Sequence, residues 1–150
     1  MQKHANNYGK LLLMGMLSFI SMYILMYMMV DRYSNVYPNF NQFYMAGMMA
    51  SPMLIIELFL MGSMYPNKIL NALIIIISLV LLTTFIYFIR AQTAIADKEF
   101  LKSMIPHHAA AILMCKESKI TDNEIKKLCR NIISSQQSEI DWMKRKLERI

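Results

Sequence analysis

The sequence predicts an all-α protein: three transmembrane helices followed by an antiparallel helix hairpin. Two observations lead to this fold class. Hydrophobic residues make up 56% of the 150 residues, and the charges are crowded into one end: twelve of the sixteen Lys and Arg and eight of the ten acids lie from Arg90 onward. A long stretch with almost no charge is typical of lipid-embedded structure. We therefore divide the chain into a transmembrane region, residues 1–90, and a C-terminal hairpin, residues 91–150.

The transmembrane region contains three apolar runs, at about 11–30, 43–65 and 69–89. Each run reaches the roughly 20 residues that a helix needs to cross a hydrocarbon core of about 30 Å. The first run is longer than the apolar core of a secretory signal, and no small-x-small cleavage site follows it. We therefore predict three retained helices in contact with the lipid bilayer.

The basic residues beside these helices favour an inner N-terminus and an outer C-terminus. Lys3 and Lys10 precede the first helix and Lys68 lies in the second loop, and basic residues gather on the inner side of membranes. Three other basic residues lie just beyond the third helix and argue for the opposite orientation: Arg90, Lys98 and Lys102.

The C-terminal region predicts two helices joined by a short turn. Apolar residues recur at helical spacing over residues 97–116. Pro106 is expected to kink or restart this helix because it lacks an amide donor. Thr121 to Glu124 forms a capping box that opens the second helix. Since the turn at about 118–120 is short, the two helices must form an antiparallel hairpin.

The first helix of the hairpin carries two adjacent histidines, His107 and His108, with Met104 and Met114 at helical spacing on either side. Thioether sulfur and neutral imidazole together suit a soft, low-charge metal such as Cu(I) better than zinc or magnesium. The alternative is a helix whose methionines pack a core and whose histidines face water, because methionine is a common filler of apolar gaps.

The second helix places polar groups on its apolar face. Gln136, Glu139 and Met143 lie at positions i, i+3 and i+7 of that face. Buried polar groups are costly unless they are partnered. Folding the hairpin back about its turn brings Gln136 opposite Met104, which favours a site shared by the two helices. The alternative is a broad apolar face whose edge includes two polar residues.

Both helices together resemble a known family. The first half of the pattern is Asp97-x-x-Phe100-x-x-x-Met104-Ile105-Pro106-His107-His108, and the second half is Gln136-Gln137-x-Glu139-Ile140-x-x-Met143. These motifs, in this order, are similar to those of the bacterial domain of unknown function 305, over about residues 97–147. The resemblance implies a ferritin-like four-helix bundle, of which this hairpin is half, and copper binding in the periplasm or envelope.

The resemblance also implies a location and a set of residues to test. Together with the three predicted spans and the orientation favoured by the basic residues, it places the protein in the bacterial inner membrane, crossed several times, with the hairpin in the periplasm. The implied ligands of a Cu(I) cofactor are Met104, His107, His108, Met114 and Met143, and the residues that support those ligands or the fold are Gln136, Glu139 and Asp97. Many relatives have two hairpins, and the family pattern does not explain the three spans.

The hairpin by itself cannot bury a core. A four-helix bundle needs a second helix pair, and another copy of the chain supplies one. We therefore expect a dimer or a higher homo-oligomer. The alternative is a hairpin that docks on its own membrane helices.

Enzymatic classes and nucleic-acid binding are not indicated. A di-iron or di-manganese oxidase needs Glu-x-x-His pairs, and the sequence contains none. Nothing marks a serine or cysteine as an activated nucleophile. The net charge of +6 comes from basic residues that are interleaved with acids and that lack a recognition motif, so we predict no enzyme and no nucleic-acid partner.

The two cysteines, Cys115 and Cys129, do not form a C-x-x-C pair, so a zinc or redox motif is not indicated. We expect two buried thiols, because a disulfide needs an offset between the helices that the sequence cannot settle. A thiolate ligand for Cu(I) is a second alternative.

The transmembrane region holds weaker metal candidates. Glu57 is the sole ionisable residue deep in a predicted span, and such residues are usually functional or paired. Its expected partners in a purely structural role are Asn71 and Lys68. Methionines in the spans could receive or pass on Cu(I), although packing is the favoured interpretation. These methionines are Met26, Met29, Met45, Met49 and Met53.

Two functional hypotheses follow. The first is a membrane-anchored Cu(I)/Ag(I)-binding protein that sequesters the metal or hands it to a copper-handling partner protein. The second is a structural or oligomerisation module of the membrane without metal and without catalytic activity. The first hypothesis requires the histidines and methionines to lie within metal-bonding distance of one another, and the second does not.

Overall fold

A computed structural model describes residues 2–150, with side chains from Asn7 onward. The prediction of an all-α fold is confirmed, since residues 2–150 form five α-helices and no strand. The side chain of Lys3, used above for the orientation, lies outside the described part. The helices are α1 (Gln2–Leu25), α2 (Phe40–Leu60), α3 (Lys68–Ala91), α4 (Asp97–Glu117) and α5 (Asn123–Leu147), with short 3-10 turns at Met26–Met29, Tyr33–Asn35 and Gly62–Met64.

Three segments are long and apolar enough to cross a membrane: Asn7–Met29, Phe40–Leu60 and Lys68–Ala91. The second differs from the predicted 43–65, because α2 ends at Leu60. Beyond it the chain turns through Gly62–Met64, and the Asn67 side chain accepts a hydrogen bond from the Leu70 amide to start α3. Turn-forming residues therefore end this span earlier than its hydropathy suggests.

The chain forms two compact units. The first, which we call the apolar unit, runs up to Leu25 and resumes over Asn41–Thr93. Two glycines set its helix packing. A Cβ atom at Gly15 would lie 2.9 Å from Leu54, and one at Gly47 would overlap the ring of Phe85. Small residues at such contacts let apolar helices approach closely, as in membrane bundles.

The second unit, the hairpin unit, combines Met26–Phe40 with Ala94–Ile150. Its core is a cluster of six buried residues on α4 and α5, of which Ile105, Ile112 and Ile140 are fully buried. The segment Met26–Phe40, which we call loop 1, contributes Val30 and Tyr37 against this cluster. The hairpin core is thus completed by the chain's own first loop.

Pro106 is buried within α4, and the helix runs through it without the predicted restart. A proline inside a helix frees the carbonyl four residues earlier, which here belongs to Lys102. The buried Asn39 of loop 1 donates its Nδ2 hydrogen bond to that oxygen at 3.5 Å. The same Nδ2 donates to the Tyr37 carbonyl at 2.9 Å. Loop 1 therefore supplies the donor that proline removes, and the helix continues.

Two further contacts tie loop 1 to α4. The Phe40 amide donates to Glu99 Oε2 at 3.2 Å. Near the other end of α4, Lys116 Nζ lies 3.9 Å from Asp31 Oδ2, and the Asp31 side chain is only 2% exposed. Asn35 donates to Asp31 Oδ1 at 2.6 Å. Loop 1 therefore covers one side of α4 along most of its length.

The turn of the hairpin is longer than predicted. The N-cap of α5 is Asp122, whose side chain accepts from the amides of Glu124 and Ile125, so the cap lies one residue beyond Thr121. The two cysteines form a disulfide, with Cα atoms 5.2 Å apart. The expectation of two free thiols was wrong, because the longer turn slides α5 by about one helical turn and brings Cys129 beside Cys115.

Candidate metal centre at the helix pair

The register fixed by the disulfide decides which candidate residues meet. His108 Nδ1 lies 3.1 Å from Glu139 Oε2. At this register, Met104 lies one turn before His108 on α4, and Met143 lies one turn after Glu139 on α5. Met104 therefore lies between the levels of Ile140 and Met143, and the predicted position of Gln136 opposite Met104 was wrong by one to two helical turns.

The two histidines point in different directions, as neighbours on a helix must. Their ring centroids are 6.1 Å apart, with planes inclined by 57°. His107 is exposed, whereas the His108 side chain is 13% exposed and turned towards α5. Only His108 thus lies at the contact between the helices.

His108 is held in its neutral form. Burial lowers the pKa of the imidazole, the Glu139 carboxylate partly offsets that effect, and His107 adds to the lowering. The Glu139 contact lacks hydrogen-bond alignment, so the buried Nδ1 has no hydrogen-bond partner within the described residues. Neutral imidazole is the form that binds metals. The ring is therefore chemically ready to be a ligand.

Two methionines are near this ring in the fold. Met143 is 4% exposed within the core cluster, and Met104 packs against the same cluster. Two thioethers and one neutral imidazole make a soft, uncharged donor set. Gln136, one turn from Glu139, has a buried Oε1 that also lacks a partner in the described part of the chain.

The structure does not bring the remaining predicted ligands to this place. Met114 is 57% exposed and lies ten residues from Met104, a separation of about 15 Å along the helix axis. Asp97 is an exposed residue in the first turn of α4, where its charge favours the helix dipole. One ion cannot contact both Met104 and Met114.

Harder metals have no matching cluster. Among the described residues, no group of three or more His, Cys, Asp or Glu side chains is placed to hold a metal ion. The disulfide also removes the thiolates of Cys115 and Cys129 as ligands.

The weaker candidates are distributed over both units. Glu57 accepts a 3.4 Å hydrogen bond from the Tyr65 hydroxyl, which differs from the expected pairing with Asn71 or Lys68. Asn71 instead accepts from Tyr8 and donates to the Tyr65 carbonyl. Among the methionines, Met26 and Met53 are half-buried, and the exposed ones are Met29, Met45 and Met49.

The sequence analysis overlooked the residues of loop 1. Asn39 and Asp31 are both buried and both bind the hairpin. One signal was present: a proline inside a predicted helix leaves a free carbonyl that needs a donor from elsewhere.

Residues 87–147 match the family described as Domain of unknown function (DUF305). The chain belongs to the DUF305 family. The DUF305 match takes in all of α4 and α5 and confirms the resemblance expected over residues 97–147.

One relative carries the likeness beyond the DUF305 segment. The chain is 34% identical over 140 residues to an uncharacterized protein of Acanthamoeba polyphaga mimivirus, and the alignment covers 91% of this chain and 90% of the relative. The likeness therefore reaches the apolar helices, and it is to a viral protein. No solved structure matches the chain.

The lowered pKa of His108 predicts an acid-sensitive hairpin. The folded state keeps this ring neutral at pH values where the unfolded chain protonates it, so its contribution to stability is complete above about pH 6.5 and declines as the pH falls below that value. Urea unfolding followed by Trp142, the only tryptophan, should show a lower midpoint at about pH 5.5 than at about pH 7.5. His108→Gln should remove most of this difference, whereas the exposed-residue control His107→Gln, which removes only the smaller lowering of the His108 pKa by His107, should keep most of it. An equal effect of both substitutions would contradict the assignment.

Proposed function

We propose that the protein is a membrane-anchored soft-metal-binding protein in which Met104, His108 and Met143 bind Cu(I) or Ag(I). The role is sequestration of the metal or its transfer to a copper-handling partner protein, and it needs no bond-making step. The observation that carries this proposal is the buried Nδ1 of His108, which has no hydrogen-bond partner among the described residues. A buried polar atom of this kind is costly unless something binds it.

The neighbourhood of that nitrogen favours a soft ion over a hard one. The adjacent donors are thioethers, which select Cu(I) over magnesium or calcium. The single nearby carboxylate belongs to Glu139, whose side chain is 55% exposed and is therefore free to turn to solvent when Nδ1 binds a metal. The ligands come from both helices, so metal binding would also strengthen the hairpin.

The location proposed for the hairpin unit is the oxidising side of a membrane. An odd number of spans puts loop 1 and the hairpin on the same side, in keeping with their packing into one unit. Structural disulfides persist in oxidising compartments, and Cys115–Cys129 lies in that unit. The N-terminus then faces the reducing side. In a bacterium this describes the inner membrane with a periplasmic hairpin.

The metal proposal predicts stoichiometric Cu(I) binding by the full chain in detergent. In competition with a colorimetric chelator, His108→Ala and Met104→Leu should lose the tight site, because each removes a donor. Met104→Leu preserves side-chain volume, so the fold should survive it at a cost below about 1.5 kcal/mol. The control Met114→Leu, which changes an exposed methionine on the same helix, should bind as the unmodified chain does.

Two outcomes of this titration would count against the proposal. One is the absence of tight binding by a chain whose helical content is intact. The other is an equal loss of affinity in Met114→Leu, which would mean that binding reflects methionine content rather than this arrangement.

The orientation predicts a labelling pattern in intact cells or sealed right-side-out vesicles. Ser34→Cys lies in loop 1 and Ser63→Cys lies between α2 and α3, and both native residues are exposed. A membrane-impermeant maleimide should label the first variant and spare the second until the membrane is permeabilised. The native cysteines should not react because they are paired. The reverse pattern would place the hairpin on the inner side.

A further inference from the structure

An apolar stripe remains uncovered on α5. Ile125, Leu128 and Trp142 are 49%, 55% and 56% exposed. Ile132 is half-buried between them. With the exposed Ser135 and Glu139, these residues follow alternating steps of three and four: Ile125, Leu128, Ile132, Ser135, Glu139 and Trp142.

Exposed residues of α4 extend the same face. Phe100 and Met114 are 50% and 57% exposed, and the exposed His107 lies midway between them at seven-residue steps. Phe100 and Met114 each lie two residues, or about 200°, from Lys102 and Lys116, which contact loop 1. The uncovered face is therefore on the opposite side of the helix pair from loop 1.

The spacing indicates a helix as the occupant of this face. Alternating steps of three and four keep residues on one narrow line that another helix covers, as in coiled coils. A helix that lies in lipid needs a broad face without charge. Here the exposed Glu139 carboxylate stands within the line, where hydrocarbon would leave its charge unsolvated.

The charges beside the stripe favour an antiparallel second α5. When Ile125 is opposite Trp142 of the other copy, Glu124, which flanks the stripe, lies beside the other copy's Arg145, which flanks it on the matching side, and near its Lys146. A parallel arrangement would instead set Glu139 against Glu139 and Lys146 against Lys146. Like charges in contact are destabilising, so only the antiparallel pairing is complementary.

We propose that this face is a two-fold interface at which a second copy of the chain packs its α5 antiparallel to the first. Such an interface is isologous, so each contact between two residues of the stripe occurs twice, once in each direction. Two hairpins joined in this way form four adjacent helices, each pair covered on its outer side by its own loop 1. The interface does not depend on metal binding, so either proposal can fail alone.

The antiparallel pairing is tested by mixing two cysteine variants of the full chain in detergent or nanodiscs. Ile125→Cys and Trp142→Cys lie seventeen residues apart on α5, or about 25 Å along the helix. The mixture should form an intermolecular disulfide under mild oxidation, whereas each variant alone should not. Arg130→Cys replaces an exposed residue on the far side of α5 and is the matched control. It should not cross-link when it is mixed with Ile125→Cys or with Trp142→Cys.

A charge exchange gives an independent readout that does not disturb the apolar stripe. Glu124→Lys alone should shift the mass measured by light scattering from two chains towards one, and the double variant Glu124→Lys/Lys146→Glu should restore the dimer. Monomeric wild-type chain at all concentrations would overturn the proposal. Equal cross-linking by Arg130→Cys would do so as well. Protection of the stripe only in vesicles, with a monomeric chain, would assign the face to lipid instead.

Discussion

The hairpin unit depends on one constraint, which is that two helices are too thin to enclose a core. Ile105, Ile112 and Ile140 are fully buried because loop 1 forms a third layer over them. In the same loop, Asn39 donates a hydrogen bond to the Lys102 carbonyl, which Pro106 leaves without its usual amide donor. A side chain from one segment thus permits an unbroken helix in another, and that helix places His108 and Met104 on one face.

Loop 1 also determines what each side of the helix pair can do. One side is closed by the loop itself, through contacts from Glu99 to Lys116. The seam between α4 and α5 carries His108, the buried Met143 and the partly buried Met104. The outer side carries the uncovered apolar stripe of α5, whose residues recur at helical spacing. The core and the candidate metal centre share Met143 and the adjacent Met104, whereas the proposed interface lies on another side of α4 and meets the metal centre at Glu139.

Much of the fold could be predicted because it rests on composition and period. The spans follow from uncharged length, and the hairpin follows from helical spacing with a cap near Asp122. The register could not be predicted from the same patterns. Moving the turn by two or three residues slides α5 by about one helical turn, and the sequence of a turn does not fix its length. That shift brought Cys115 and Cys129 together as a disulfide and moved Met104 from the predicted level of Gln136 to a level between Ile140 and Met143.

The candidate site was also predicted only in part, because its residues come from two helices whose relative register the sequence does not fix. The sequence analysis placed both histidines in one ligand set, whereas in the structure His107 is exposed and only His108 is turned towards α5. Helical spacing could not show that Met114 is too distant to share an ion with Met104 until their rise along the axis was considered. The role of loop 1 was beyond reach, since it depends on contacts between residues about 60 positions apart.

The central claim, that loop 1 completes the hairpin core, is tested most directly by hydrogen–deuterium exchange on the full chain. The double variant Val30→Ala/Tyr37→Ala should speed amide exchange across Leu101–Ile112, because large-to-small changes at packed positions cost about 2–5 kcal/mol. Tyr33→Ala, which alters a loop 1 side chain that is 92% exposed, should leave that exchange unchanged. Unaltered protection of α4 in the double variant would contradict the claim and would mean that the hairpin core closes without its loop.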